Sequence, residues 1–128
     1  MKKKCFIVIV LVLSLFAFSQ EKNADIVVLL DNSGTMLPYY QEVNEKVLQG
    51  ICENFVRLND SFHLLSFTEK TLLEISQRIN TQSDIEKIVS RFRLLYPLGP
   101  YSNFIEALSY SRQYVNSLNP YTQKVLVI

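Results

Sequence analysis

Four runs of apolar residues predict β-strands. Residues 24–30 are apolar on both faces and rich in Val and Ile, which is typical of a central strand in a parallel sheet. Residues 61–67 predict a second strand, with residues 71–75 as its short partner in a hairpin. Residues 124–128 predict a further apolar strand. We therefore expect a mostly parallel sheet with one short antiparallel strand.

Apolar residues at three- and four-residue spacing predict three helices between these strands. The first covers residues 39–58, the second follows capping residues at 81–84, and the third is capped by Ser102 and ends at residues 119–120. The residues expected on their buried faces are Val43, Val47, Leu48, Ile51, Phe55 and Leu58 in the first helix, Ile85, Ile88, Val89, Phe92 and Leu95 in the second, and Phe104, Ile105, Leu108, Val115 and Leu118 in the third.

The alternation of strands and helices predicts an α/β fold, a Rossmann-like open sheet with helices on both faces. The 128 residues, of which 48% are hydrophobic and 20% charged, fit one ordinary globular domain. The strand over residues 124–128 has no helix after it to cover its faces. We therefore expect residues 20–128 to be the N-terminal part of a domain whose C-terminal part is absent from this sequence.

The N-terminus has basic, apolar and small residues in the order that is typical of a secretory signal peptide. Three lysines at positions 2–4 precede an apolar run over residues 5–18, and small residues follow at its end. We expect residues 1–19 to be the signal peptide and the domain to be secreted, periplasmic or at the cell surface. The alternative is an uncleaved anchor that tethers the domain to the membrane, because a signal and an anchor differ mainly in length.

The net charge limits which partners we expect, and the two cysteines limit which disulfides can form. Without the three lysines at 2–4, ten basic residues stand against twelve acidic ones, a net charge of about −2. That charge gives no reason to expect nucleic acid or anionic lipid as a partner. Cys5 lies in the signal peptide, so Cys52 has no disulfide partner and is expected to be a small buried side chain. His63, the single histidine, is assigned no function.

The motif Asp31-Asn32-Ser33-Gly34-Thr35 comes directly after the first strand. Loops at the carboxyl ends of strands form the ligand crevice of an open α/β sheet. If the loop stays extended, residues 31, 33 and 35 share one side, and Gly34 permits the bend that brings them around an ion. A carboxylate and two hydroxyls are hard oxygen donors that suit Mg²⁺ or Mn²⁺. The motif predicts a metal site, although these residue types also form simple turns.

The motif over residues 31–36 resembles the metal-ion-dependent adhesion site (MIDAS) of von Willebrand factor type A (vWA) domains. Residues 62–67 resemble the next core strand of that family, and residues 99–108 resemble its second metal loop and the helix that follows. Residues 124–128 resemble the strand that leads to its third metal loop. The resemblance covers nearly all of residues 24–128, in the right order.

The resemblance implies a binding function without catalysis. Asp31, Ser33 and Thr35 would be ligands from the first loop and Ser102 from the second, where the family usually has threonine. The cation, Mg²⁺ or Mn²⁺, would bridge the domain to an acidic side chain of a partner protein. The aspartate of the family's third loop is expected just after residue 128.

Three tyrosines flank the two candidate metal loops. Tyr39 and Tyr40 follow the first loop and Tyr101 lies in the second. Because tyrosine is favoured in contact surfaces, these three are candidates for an aromatic rim that binds a protein partner. Packing of the loops onto the helices is the alternative explanation.

Two alternatives to an adhesion-type metal site remain open for the first motif. A strand that ends in Asp-x-Asp-Gly-Thr opens the haloacid-dehalogenase-like hydrolases, and this chain differs from that motif at one position. In such a Mg²⁺-dependent phosphohydrolase Asp31 would be the nucleophile, but Ser33 would replace the general acid-base aspartate and has no comparable pKa. The second alternative is a related sheet whose metal site is inert.

Overall fold

The computed structural model describes residues 22–97 and 99–128; the predicted signal peptide lies outside them. One four-stranded sheet has the order β3-β2-β1-β4. β1 pairs in parallel with β2 and with β4, and β2 pairs antiparallel with β3, which confirms the mostly parallel sheet. The antiparallel strand has 8 residues and is longer than predicted. The strand bounds are Ala24–Asp31 for β1, Ser61–Phe67 for β2, Thr71–Arg78 for β3 and Gln123–Val127 for β4.

Helices cover both faces of this sheet, as the pattern predicts. A 3₁₀ helix over Gly34–Tyr39 follows β1 and runs directly into α1. We use α1 for three successive helical segments, which are Tyr40–Glu42, the π-helical Val43–Leu48 and Gln49–Asn54. Helix α2 spans Gln82–Phe92 and begins with a capping box between Thr81 and Asp84. Helix α3 spans Phe104–Ser117.

Two hydrophobic cores lie on opposite faces of the sheet, and β1 contributes to both. Its residues 26–30 are all buried, so alternate side chains enter alternate cores. Helices α1 and α2 pack on one face and α3 packs on the other. The larger core contains Ile26, Val28, Leu30, Leu48, Cys52, Val56, Phe62, Leu64, Ile75, Ile79, Ile85, Ile88 and Phe92, and the smaller contains Val27, Leu29, Leu65, Phe67 and Ala107.

The exposed faces of α1 and α3 differ from the prediction. Helix α1 ends at Asn54, and Phe55, predicted to be buried, is 69% exposed. In α3 the predicted core residue Ile105 is 82% exposed, while the small residues Ala107 and Ser111 face the sheet. Ile105 lies about 200° around the helix from Ala107, so packing through Ala107 turns Ile105 toward solvent. Val47, Leu58, Phe104 and Leu108 are further predicted core residues that are exposed.

The N-cap of α3 differs from the prediction, whereas the burial of Cys52 agrees with it. The N-cap of α3 is Asn103, whose side chain accepts a hydrogen bond from the Glu106 N–H at 3.2 Å, so the prediction of a Ser102 cap is wrong. Asparagine caps helices at least as well as serine, which explains the one-residue shift. Cys52 is fully buried, as predicted, and burial raises the pKa of its thiol to about 12.

A buried polar cluster joins the sheet to α3 near the start of β1, at the end opposite Asp31. Asp25 accepts hydrogen bonds from Lys124 Nζ, at 2.8 Å, and from the hydroxyl of Thr122. His63 Nε2 lies 3.8 Å from Asp25 Oδ1, and His63 Nδ1 lies 2.9 Å from the Tyr114 hydroxyl. The cluster therefore fixes β4 and α3 to the two central strands.

Among the described residues, no helix combines the length and the apolar character that crossing a bilayer requires.

Candidate metal site

Asp31 ends β1, and polar groups of both candidate metal loops contact its carboxylate. The Ser33 N–H donates to Oδ1 at 2.8 Å, and the Ser102 hydroxyl donates to Oδ2 at 2.7 Å. The hydroxyl oxygens of Ser33 and Thr35 lie 2.8 Å apart. The structure thus brings all four residues that the sequence marks as candidate ligands into one connected group.

The first loop does not remain extended as the prediction assumed. Ser33 is extended, with φ −73° and ψ 160°, but the 3₁₀ helix begins at the next residue. That turn brings the Thr35 hydroxyl back to Ser33. No glycine among the described residues has a positive φ, so Gly34 is not needed here for a left-handed bend. The residues converge because of a helical turn and not because of strand alternation.

Backbone hydrogen bonds hold the two loops together. Residues 33 and 99 form an isolated parallel bridge, and the Gly34 N–H donates to the Gly99 carbonyl at 2.8 Å. The Asn32 N–H donates to the Phe67 carbonyl at 2.9 Å, so the first loop is also fixed to the end of β2. The candidate ligands are consequently positioned by main-chain contacts from three segments.

The donor set of this site is one carboxylate and three hydroxyls. Ser33 is fully buried, whereas Thr35 and Ser102 are exposed, so an ion here would be open to solvent on one side. Among residues 22–97 and 99–128, no group of three or more His, Cys, Asp or Glu side chains is placed to hold a metal ion. A hard cation that retains several water ligands fits such a donor set better than a tightly caged one.

The three candidate partner-binding tyrosines differ in their surroundings. Tyr39 is 58% exposed and Tyr101 is 53% exposed. A hydrogen bond to Glu69 raises the pKa of the Tyr101 phenol. Tyr40 is half-buried, donates to the Phe92 carbonyl at 3.2 Å and packs edge-on against Tyr96. Tyr39 and Tyr101 are therefore available at the surface, while Tyr40 contributes to packing between α1 and α2.

Two residues that organise the site were not identified from the sequence. The Thr68 carbonyl accepts a hydrogen bond from the Asn103 N–H at 2.7 Å. The side chain of Asn32 donates to the Tyr96 carbonyl at 3.3 Å and so ties the first loop to the segment after α2. Asn32 is part of the first motif, and Thr68 directly follows the predicted strand over residues 61–67, so both lie where a parallel sheet places its loops.

The structure is similar to solved structures of proximal thread matrix protein 1 (PTMP1) from the mussel byssus. One of them has a TM-score of 0.64 at 21% identity and covers 83% of this chain. A PTMP1 structure with a zinc-occupied MIDAS motif has a TM-score of 0.65 at 20% identity. The present chain spans 30% of the length of either PTMP1 chain.

A second similarity identifies the fold. The structure of the SpRpn10 VWA domain matches with a TM-score of 0.53 at 16% identity, covering 84% of this chain and 60% of that one. No protein-family model and no curated protein matches the sequence. The sheet order and the helices on both faces indicate the same fold as these structural similarities. This chain has the fold of a von Willebrand factor type A domain.

Proposed function

We propose that the chain is an exported, metal-dependent protein-binding module of the adhesion type. Asp31, Ser33, Thr35 and Ser102 hold a divalent cation, and open coordination positions on that cation accept an acidic side chain from a partner protein. The observation that carries this proposal is the bond between Ser102 and Asp31, since it joins the two candidate metal loops at the carboxylate.

The chemistry of the donors favours Mg²⁺ or Mn²⁺ as the ion. All four side chains offer oxygen, and hard cations prefer oxygen ligands. The zinc in the PTMP1 MIDAS motif supports a divalent ion at the corresponding place in this fold. Cysteine and histidine would favour zinc, but Cys52 is in the core and His63 lies in the polar cluster at the other end of β1.

The surface beside the site suits a protein partner. Tyr39 ends the 3₁₀ helix after the first loop and Tyr101 lies in the second loop, and both expose more than half of their surface. A single carboxylate against a divalent ion leaves a net positive charge, which would attract an acidic group. Residues 1–19 would direct the domain out of the cell, and PTMP1, a thread matrix protein of the mussel byssus, supports this location for a protein of this fold.

The domain would be completed by chain beyond β4. This strand forms one edge of the sheet, and its Val125 and Leu126 are 37% and 42% exposed. The chain spans 60% of the SpRpn10 VWA domain. Further strands and helices would cover this edge, and a third loop would add a ligand to the ion.

The geometry of the site does not support the hypothesis of a phosphohydrolase. Ser33 is fully buried and its hydroxyl lies against Thr35, surroundings that suit a ligand or a packing group and not a proton donor. A general acid-base group requires a pKa near the working pH, which a serine hydroxyl lacks. No step of phosphate transfer is therefore proposed.

A titration of the full chain with Mn²⁺ tests the proposal. We expect saturable binding of one ion, loss of that binding in Asp31→Ala, and unchanged binding in Glu53→Ala, which removes an exposed carboxylate from α1. Added acetate should then displace water from the bound Mn²⁺ and lower the water proton relaxation rate. Equal affinity in the wild type and Asp31→Ala would overturn the proposal, and hydrolysis of a phosphate ester that Asp31→Ala abolishes would favour the enzyme.

A further inference from the structure

The end of β2 holds both metal loops through two successive carbonyl groups. The Phe67 carbonyl accepts the N–H of Asn32 at 2.9 Å, and the Thr68 carbonyl accepts the N–H of Asn103 at 2.7 Å. Asn32 follows Asp31 directly, and Asn103 follows Ser102 directly. Asp31 and Ser102, which form the bond across the site, are thus each one peptide away from an anchor at Phe67 or Thr68.

The side chain of Thr68 also determines where the second loop can lie. A Cβ atom built on Gly99 would be 2.2 Å from Thr68 Cγ2 and 2.4 Å from Thr68 Cβ. Such contacts are far inside van der Waals distance, so no side chain is tolerated at position 99 while Thr68 keeps its place. Since φ at Gly99 is not positive, the requirement for glycine is steric and not conformational.

The close approach of Gly99 to Thr68 has a consequence for the site. In this position the Gly99 carbonyl accepts the Gly34 N–H at 2.8 Å, and Gly34 lies between Ser33 and Thr35. Residue 99 also bridges to Ser33. The contact between Thr68 and Gly99 therefore sets the distance between the two loops on which the candidate ligands lie.

We propose that Thr68 is a positioning residue for the metal site, because its side chain seats Gly99 and its carbonyl anchors Asn103, so that Ser102 is held on Asp31. This inference rests on the proposed function for its effect on metal binding. The placement of the loops can be measured independently of any metal.

Three variants of the full chain test this role. Gly99→Ala introduces the clash and should push the second loop away, weakening Mn²⁺ binding by about tenfold or more, as changes around metal ligands commonly do. Thr68→Gly removes the clashing atoms, so the double variant Thr68→Gly/Gly99→Ala should recover most of the affinity that Gly99→Ala loses. Thr68→Gly alone should weaken binding less than Gly99→Ala does.

A matched glycine provides the control. Gly50 lies in α1, and a Cβ built on it meets no atom within 4 Å. Gly50→Ala should therefore leave Mn²⁺ affinity unchanged. If Gly99→Ala also binds Mn²⁺ as the wild type does, Thr68 is not a positioning residue.

Amide hydrogen exchange at Gly34 and Asn103 gives the readout without metal. Both N–H groups bond across the loop contacts, so Gly99→Ala should accelerate their exchange and the double variant should restore protection. Exchange that stays at the wild-type rate in Gly99→Ala would overturn the inference. A wild type that binds no Mn²⁺ would instead overturn the proposed function, while the exchange rates would still decide the role of Thr68.

Discussion

Ser102 donates a hydrogen bond to Asp31 at 2.7 Å across 71 residues of sequence. This contact links the end of β1 to the loop before α3, and it places a hydroxyl oxygen beside the only carboxylate of the candidate site. Charge-assisted hydrogen bonds of this kind are stronger than neutral ones. A cation bound by both groups would lie between these two oxygen atoms in place of the hydrogen bond.

Ser102→Ala should weaken Mn²⁺ binding by about tenfold while leaving the fold intact. Because Ser102 is exposed, its removal costs little packing, and the free energy of unfolding should fall by about 1 kcal/mol through loss of the hydrogen bond to Asp31. Ser102→Thr keeps the hydroxyl on a stiffer side chain and should retain the affinity. Calorimetric Mn²⁺ titration of the three proteins checks this, and equal affinity in Ser102→Ala would remove Ser102 from the site.

Lys124→Met should destabilise the protein by about 3 kcal/mol, because it leaves the buried Asp25 carboxylate without its cation. The side chain of Asp25 is 7% exposed and that of Lys124 is 23% exposed, so solvent replaces the lost interaction only in part. The double variant Asp25→Asn/Lys124→Met removes both charges and should be more stable than Lys124→Met alone. Urea unfolding measures both differences, and a stability in Lys124→Met equal to that of the wild type would contradict the prediction.

Stability should fall in two stages as the pH is lowered. Burial lowers the pKa of His63 below 6.5, an effect that Asp25 opposes and Lys124 reinforces. The neutral imidazole therefore stabilises the fold above pH 6.5, and this contribution is lost as the pH falls through the lowered pKa. Although burial would raise the pKa of Asp25, hydrogen bonds from Lys124 and Thr122 lower it below 3.8, so a second loss follows in acid.

His63→Gln should abolish the first of these two stages. Urea unfolding between about pH 8 and about pH 5 should show declining stability in the wild type and a nearly constant value in the variant. The imidazole proton shifts in NMR spectra should titrate below pH 6.5. A titration above that value would show that charge on His63 stabilises the fold, contrary to the prediction.

Cys52 should resist alkylation in the folded protein. Its side chain is fully buried, and burial raises the pKa of the thiol to about 12, so almost no reactive thiolate is present at neutral pH. In a Cys5→Ser background, iodoacetamide should label Cys52 only after urea unfolds the chain. Rapid labelling without urea would show that the larger core opens around Cys52.

The strands were predictable because local chemistry determines them. Residues 24–30 are apolar on both faces, so both faces must be covered whatever sequence follows. The observed β1 differs from the prediction by one residue, Asp31. The start of α2 was likewise predictable, because the capping box between Thr81 and Asp84 needs no contact with distant residues. The position of Asp31 at a strand end, and hence the candidate site, follows from the same local pattern.

The features that the sequence did not predict depend on distant neighbours. Helical spacing cannot reveal that α3 lies on the sheet through Ala107 and Ser111, because that choice depends on the side chains of β1 and β2 beneath it. The need for glycine at position 99 arises from Thr68, which is distant in sequence. The 3₁₀ turn after Ser33, whose Gly34 N–H bonds to the Gly99 carbonyl, likewise differs from the extended loop that spacing alone suggested.

The most direct test is the position of the ion itself. Crystals of the full chain soaked in Mn²⁺ should show an anomalous peak beside Asp31, with oxygen atoms of Ser33, Thr35 or Ser102, or their bound waters, at about 2.1 Å. The same soak of Asp31→Ala crystals should show no peak there. A peak elsewhere, or an empty Asp31 site in wild-type crystals at saturating Mn²⁺, would contradict the claim that these two loops form a metal site.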